Sequence, residues 1–347
     1  MKNGKFFLIA FILVVLALLL YLFKDFLMVI TIASLMAVAT ANLNAKFLSL
    51  AKGQRVVAAA ATTLCVILLF FAPFVYTAVE LVNALKDFDF NLITQTLEFV
   101  KNYHFSLPES LSFLEPKIKE FLAGLDLGSL YKQALGFVSS FTKSGAKFLI
   151  DMVLICIFYF FANLYGAQLV IYLKSIIPVE KKELDEILGE VGNVMAVVLY
   201  SMVIVAIFQG ALFALVCAFY GYEALLMGVV FAVSSLIPAV GGALIYVPVS
   251  LYEFATNGLS AAAGIFIYCV VVISFIADTL IKPLIIKWIN ERLVKTPTQI
   301  NELLIFLSML AGISSFGFWG IILGPAILTF FISTIRLWTI LKAKNLI

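Results

Sequence analysis

Residues 302–335 form an almost uncharged stretch, too long for one membrane crossing and interrupted near its middle by Gly312, Gly317 and Gly320. A helix rises about 1.5 Å per residue and the hydrocarbon core of a bilayer is about 30 Å thick, so about twenty residues suffice to cross. The excess must be absorbed by a break or a fold-back. Residues 223–252 repeat the pattern, with Pro238, Gly241 and Gly242 in the interruption. In lipid, backbone N–H and C=O groups have to be bonded within the protein, and irregular backbone at depth survives only inside protein or beside a water-filled cavity. Two overlong, broken segments in the second half of a chain therefore point to a transport site built from interrupted helices.

Composition agrees. With 64% hydrophobic and 12% charged residues, a water-soluble domain would have too little polar surface. The expected fold is all-α, a polytopic integral membrane protein with about eight hydrophobic segments of crossing length. The net charge of +3 and the lack of a basic run interleaved with aromatics give no sign of nucleic-acid binding. Cys65, Cys156, Cys217 and Cys269 each lie in an apolar run without metal-ligand spacing, which reads as packing. His104 is the single histidine and sits in a polar segment, so neither a histidine-rich zinc site nor a serine–histidine hydrolase pair is expected. A glycine-rich phosphate loop ending in Gly-Lys is lacking too. The chain reads as a non-enzyme without metal or cofactor.

Lys2 and Lys5 precede an apolar run at 6–23 that is longer than a signal-peptide core and reads as a retained first span. Further spans are expected at 26–41 and 56–81, with Lys46, Lys52 and Arg55 in the loop between them. Residues 82–146 carry charges of both signs and turn signals, and Ser106 with Glu109 resembles a helix-opening capping box. This stretch reads as a helical extracytoplasmic insert between the spans of 1–81 and those of 147–347. A fourth span (147–173), an amphipathic polar helix (179–193), a fifth span (194–220) and a seventh hydrophobic segment (260–281) follow.

Charge asymmetry orients these segments. With the N-terminus inside, Lys46, Lys52, Arg55, Lys174, Lys181 and Lys182 all fall inside, as the positive-inside rule requires. Lys282, Lys287, Arg292 and Lys295 join them only if 223–252 enters and returns to the same face. A matching hairpin at 302–335, entering from the opposite face, keeps Arg336, Lys342 and Lys344 inside. Tilted or kinked spans absorb excess length as well, and both arrangements leave the two termini cytoplasmic.

The run Ser234-Ser235-Leu236-Ile237-Pro238-Ala239-Val240-Gly241-Gly242 resembles the IP-x-x-G signature of the autoinducer-2 exporter (AI-2E) family of bacterial permeases. Ala277-Asp278-Thr279-Leu280-Ile281-Lys282-Pro283 resembles that family's acidic residue ahead of a proline, and residues 312–325 resemble its glycine-rich final signature. The resemblance implies an inner-membrane permease. Family members are associated with export of autoinducer-2 and, in other cases, with sodium or lithium exchange for protons. The matching positions are mostly glycine and proline, which specify backbone shape and no particular solute.

An ionised group among apolar spans is costly, which makes Asp278 the leading candidate for chemistry. Lys282 lies four residues on, so the two share a helix face and can pair, either as an interfacial anchor or as part of an ion or solute site. Gln209 and Asn193 offer interhelical hydrogen bonds or ligand contact. Asp151, four residues beyond Lys147, reads as an anchor, Glu253 as a loop charge, and Glu302 as ambiguous. Pro238, Gly241, Gly242, Gly312 and Gly317 permit backbone breaks whose freed polar atoms would meet a solute, or else close helix packing. The expected partners are the lipid bilayer, a small solute or monovalent cation, and copies of the chain itself in a homo-oligomer. An oligomeric channel and a scaffold without transport are the other classes.

Overall fold

The computed structural model describes residues 2–86, 116, 127–176, 181–238, 240–292 and 301–343, and all regular structure among them is helical. In chain order the elements are α1 (Lys2–Leu22), α2 (Leu27–Ala39), α3 (Ala41–Leu50) and α4 (Arg55–Val66). A π-helical turn (Ile67–Phe71) leads into α5 (Ala72–Lys86), and then come α6 (Leu127–Ile176), α7 (Lys181–Phe219), α8 (Ala224–Ser235), α9 (Ala243–Asn257) and α10 (Leu259–Tyr268). A π-helical segment (Cys269–Ile281) joins α10 to α11 (Lys282–Arg292), and a 3₁₀ turn (Gly317–Trp319) joins α12 (Glu302–Phe316) to α13 (Gly320–Ala343).

The eight hydrophobic segments do not become eight simple spans. Five helical stretches are long and apolar enough to cross a bilayer: Arg55–Leu81, Gly145–Tyr172, Glu183–Phe219, Leu259–Arg292 and Leu303–Thr339. The first two segments form a pair bent by 94° across the turn that holds Lys24 and Asp25. Residues 223–252 divide into α8 and α9, of 12 and 15 residues. At 1.5 Å per residue these reach about 18 and 22 Å, each short of the roughly 30 Å core. The loop expected around Lys46 is largely the helix α3. The polar helix expected at 179–193 is continuous with the fifth span in α7, since nothing between them breaks the hydrogen-bond ladder. Of the insert at 82–146, residues 82–86, 116 and 127–146 are helical, and the Ser106–Glu109 capping box lies outside the described residues.

The chain forms two compact units. The first takes in Met1–Ile67, Asp151–Leu199 and Asn290–Ile347. Val29, Ile32, Ala33 and Met36 of α2 are buried in it, as are Met152, Ile155 and Tyr159 of α6. A neutral polar seam ties these helices together: Thr40 Oγ1 lies 2.5 Å from Tyr159 Oη, and Thr62 Oγ1 donates to Asn44 Oδ1 at 3.1 Å. In the same unit α12 and α13 double back on each other at Gly317, whose positive φ of +62° suits glycine. Gly312 and Gly320 face each other so closely that a Cβ on Gly312 would stand 2.1 Å from the Gly320 carbonyl oxygen. The stretch from 303 to 339, long enough by count to be one crossing, is thus a hairpin.

The second unit takes in Leu68–Ile150 and Tyr200–Ile289. Its core gathers Phe213, Val216 and Cys217 of α7, Phe231 of α8, and Ile265, Cys269 and Ile273 of α10 and the π segment. The Phe213 and Phe231 rings stack with centroids 4.4 Å apart. Beside them α7 and α8 meet through glycine, a Cβ on Gly210 falling 2.5 Å from the Gly228 oxygen. Here too the broken segment folds back, because Tyr222 just before α8 and Glu253 near the end of α9 touch at 2.6 Å.

Candidate functional site

In the second unit the buried face of the π segment shows Cys269, Ile273 and Ala277, spaced four apart. Asp278 follows Ala277 and so sits at the margin of that face. Its Oδ1 accepts a hydrogen bond of 2.9 Å from Nε2 of Gln209 on α7, and Nζ of Lys282 stands 3.7 Å from the same oxygen. Gln209 is buried, whereas the Asp278 and Lys282 side chains are about half exposed. π-Helical bonding normally comes as a single turn within an α-helix, frequently at functional sites, and here it runs for 13 residues up to Lys282. The cluster supplies an acceptor, a cationic donor and an amide, the set needed to grip a polar solute by its hydroxyl and carbonyl oxygens.

Three of the candidate residues are therefore brought together, one of them across 69 positions of sequence. Pro238, Gly241 and Gly242 lie in the same unit at the turn between α8 and α9, while Gly312 and Gly317 belong to the other unit. The turn between α8 and α9 is bonded within itself. Ile237 N donates to Ser234 O at 3.0 Å, Val240 N to Pro238 O at 2.9 Å and Gly241 N to Ile237 O at 3.0 Å. The Gly242 oxygen accepts from both Ile245 N and Tyr246 N. Gly241 is needed because a Cβ there would fall 1.9 Å from the Ser234 oxygen, and Gly242 leaves room for the Phe231 ring. At these positions, as at Gly312, glycine acts through close packing.

Glu253 is where the sequence reading fails. Expected as a loop charge, it lies within α9 and is 2% exposed. Its Oε1 accepts from Tyr222 Oη at 2.6 Å and its Oε2 from Asn257 Nδ2 at 2.8 Å. A signal was present, since Asn257 follows Glu253 by four residues and Tyr222 flanks the other end of the same apolar run. In the first unit, Glu190 of α7 receives Ser333 Oγ at 2.8 Å and Arg336 Nη1 at 2.9 Å from α13. Among the described residues no cluster of three or more His, Cys, Asp or Glu side chains is placed to hold a metal ion.

Known proteins similar in sequence are transport proteins by name. Residues 9–340 match the family model described as AI-2E family transporter. A protein of Helicobacter pylori strain J99, provisionally named a transport protein, is 33% identical over 92% of this chain and 91% of its own length. A similarly named protein of Aquifex aeolicus is 25% identical over 75% of this chain and 69% of its own. One of Pyrococcus horikoshii is 24% identical over 78% and 70%.

Proposed function

The chain belongs to the AI-2E transporter family, and on that premise we propose that it is a secondary permease exporting a small polar solute such as autoinducer-2 across a bacterial cytoplasmic membrane. One observation carries the reading: Gln209, Asp278 and Lys282 converge where the apolar part of α7 meets the end of the apolar π segment. Keeping a charge among spans costs about 3 kcal/mol, and such charges mark solute and ion pathways. In this reading Gln209 orients the carboxylate, Asp278 accepts the solute's hydroxyl protons, and Lys282 donates to its oxygens. In this reading both termini face the cytoplasm, the side to which the positive-inside rule assigns Lys46, Lys52, Arg55, Lys174, Lys287 and Arg292. The fold-back of α8 and α9 supports that orientation, because a segment whose ends meet returns the chain to the face it came from.

Proteoliposomes test the proposal. Vesicles holding the purified protein are compared with empty ones for movement of autoinducer-2, sodium and lithium under an imposed pH gradient. Saturable flux of autoinducer-2 that Asp278→Asn abolishes is the expected result. Flux at the empty-vesicle level, or flux of the cations alone, sinks the assignment.

A further inference from the structure

Of the three tryptophans, Trp319 is 3% exposed, whereas Trp288 and Trp338 stand out from their helices at 52% and 59%. Each closes an exposed apolar stripe. In the second unit Leu280, Leu284 and Trp288 follow at four-residue steps from the end of the π segment along α11. In the first unit Ile327, Phe331, Ile335 and Trp338 line one face of α13 at steps of four or three. At 1.5 Å per residue the stripe on α13 reaches about 16 Å, close to half of the roughly 30 Å hydrocarbon core and so the depth of one leaflet. Four residues beyond each tryptophan comes an exposed cation, Arg292 in α11 and Lys342 in α13. Neither has an ion-pair partner among the described residues, whereas Arg336 is held by Glu190 and Lys282 leans toward Asp278. Lys287 and Glu291, exposed beside the stripe on α11, carry opposite charges and leave Arg292 as the surplus. Lys282 takes the other side of that helix, in line with the buried Ile289.

We infer that Trp288 with Arg292, and Trp338 with Lys342, are two docking sites for anionic phospholipids, whose acyl chains lie along the apolar stripes. A tryptophan ring settles at headgroup level because one edge is polar and the rest is not. Its indole N–H donates to a phosphate or glycerol oxygen, and the guanidinium or ammonium one turn farther on takes the phosphate oxygens in charge-assisted hydrogen bonds. A zwitterionic headgroup brings a cation of its own toward the same arginine or lysine, so the pair selects lipids of net negative charge. The occupant follows from complementarity at both ends of each site, apolar stripe to acyl chain and unpaired cation to phosphate. Both sites are separate from the cluster of Gln209, Asp278 and Lys282, and their occupancy does not depend on which solute is carried.

Tryptophan fluorescence of the full chain in phosphatidylcholine vesicles reads these sites without any transport assay. The vesicles carry an equal fraction of lipid with brominated chains, either phosphatidylglycerol or phosphatidylcholine, and bromine quenches an indole that it touches. Trp338→Phe leaves Trp288 as the exposed fluorophore and Trp288→Phe leaves Trp338, with the buried Trp319 as a common background. At each tryptophan, brominated phosphatidylglycerol is expected to bind about fivefold more strongly than brominated phosphatidylcholine, the preference that one basic residue confers at an anionic surface. Arg292→Gln should erase the preference at Trp288, and Lys342→Gln the preference at Trp338. Equal quenching by the two lipids overturns the site at that tryptophan, and so does a preference that survives its glutamine substitution. Should a tryptophan variant fail to fold, the wild type and the Arg292→Gln, Lys342→Gln double variant report the summed preference, and no difference between them overturns both sites. A preference abolished by added inorganic phosphate at constant ionic strength assigns the cations to free phosphate, which also rules out the lipid.

Discussion

Alanine in place of Gly320 should pry α12 away from α13. A Cβ at that position would stand 1.9 Å from the Gly312 oxygen and 2.0 Å from its carbonyl carbon. Those are backbone atoms, so no rotamer change clears them. Ordinary contact begins at 3.4 Å, which leaves the two helices to part by the difference, about 1.5 Å. A gap of 0.5–1 Å already forfeits about a quarter to a half of each dispersion contact along the seam. Overpacking of this kind costs about 1–3 kcal/mol, and the absence of a movable side chain puts Gly320→Ala toward the upper end. Gly312→Ala, whose Cβ meets the Gly320 oxygen at 2.1 Å, should behave alike, and the double variant should lose less than the sum because both strain one contact. Equilibrium unfolding in mixed micelles with added SDS measures these differences. Gly166→Ala is the control, since a Cβ there has nothing within 4 Å, and it should be neutral or stabilising by up to about 1 kcal/mol. If Gly320→Ala proves as stable as Gly166→Ala, the two helices do not meet backbone to backbone and the reasoning fails.

Further outcomes follow from the same geometry. Gln209→Leu removes the donor that orients Asp278, and solute flux in vesicles should fall by about tenfold, the equivalent of roughly 1.4 kcal/mol; flux at the wild-type rate would detach Gln209 from the site. A cysteine replacing Lys287 should react with an impermeant thiol reagent from the cytoplasmic side, and labelling from the outside alone would mean that residues 223–252 cross completely. Tyr159→Phe deletes one hydroxyl of the buried seam while Thr40 keeps its own bond to the Met36 oxygen, so the loss in an unfolding titration should be about 1 kcal/mol. A loss above about 3 kcal/mol would show that the seam acts as a larger network.

Local signals in the sequence survived into the structure. Glycine and proline mark the breaks at Pro238 to Gly242 and at Gly317, and the four-residue spacing of Asp278 and Lys282 predicts their pairing, because both depend only on neighbours along one helix. The partner of Asp278 was not legible. Gln209 is 69 residues away, and only the packing of α7 against the π segment brings it near. Glu253 was misread for a related reason. A carboxylate after an apolar run resembles a loop residue until the run folds back and lays Tyr222, 31 positions earlier, over it. The role given to the glycines also changed. Sequence shows that a break exists but not whether the missing Cβ exposes backbone or lets two backbones touch, and at Gly241, Gly312 and Gly320 it is contact that the geometry requires.

The meeting of Tyr222 with Glu253 has an architectural consequence. A loop of polypeptide that exits beside its own entrance contributes nothing to the parity of the chain's passages, so the thirty residues or so between could be excised, lengthened or duplicated without inverting anything downstream. Whatever α8 and α9 do, they are a module pinned at its stem, and the sidedness of the rest of the molecule is inherited unchanged.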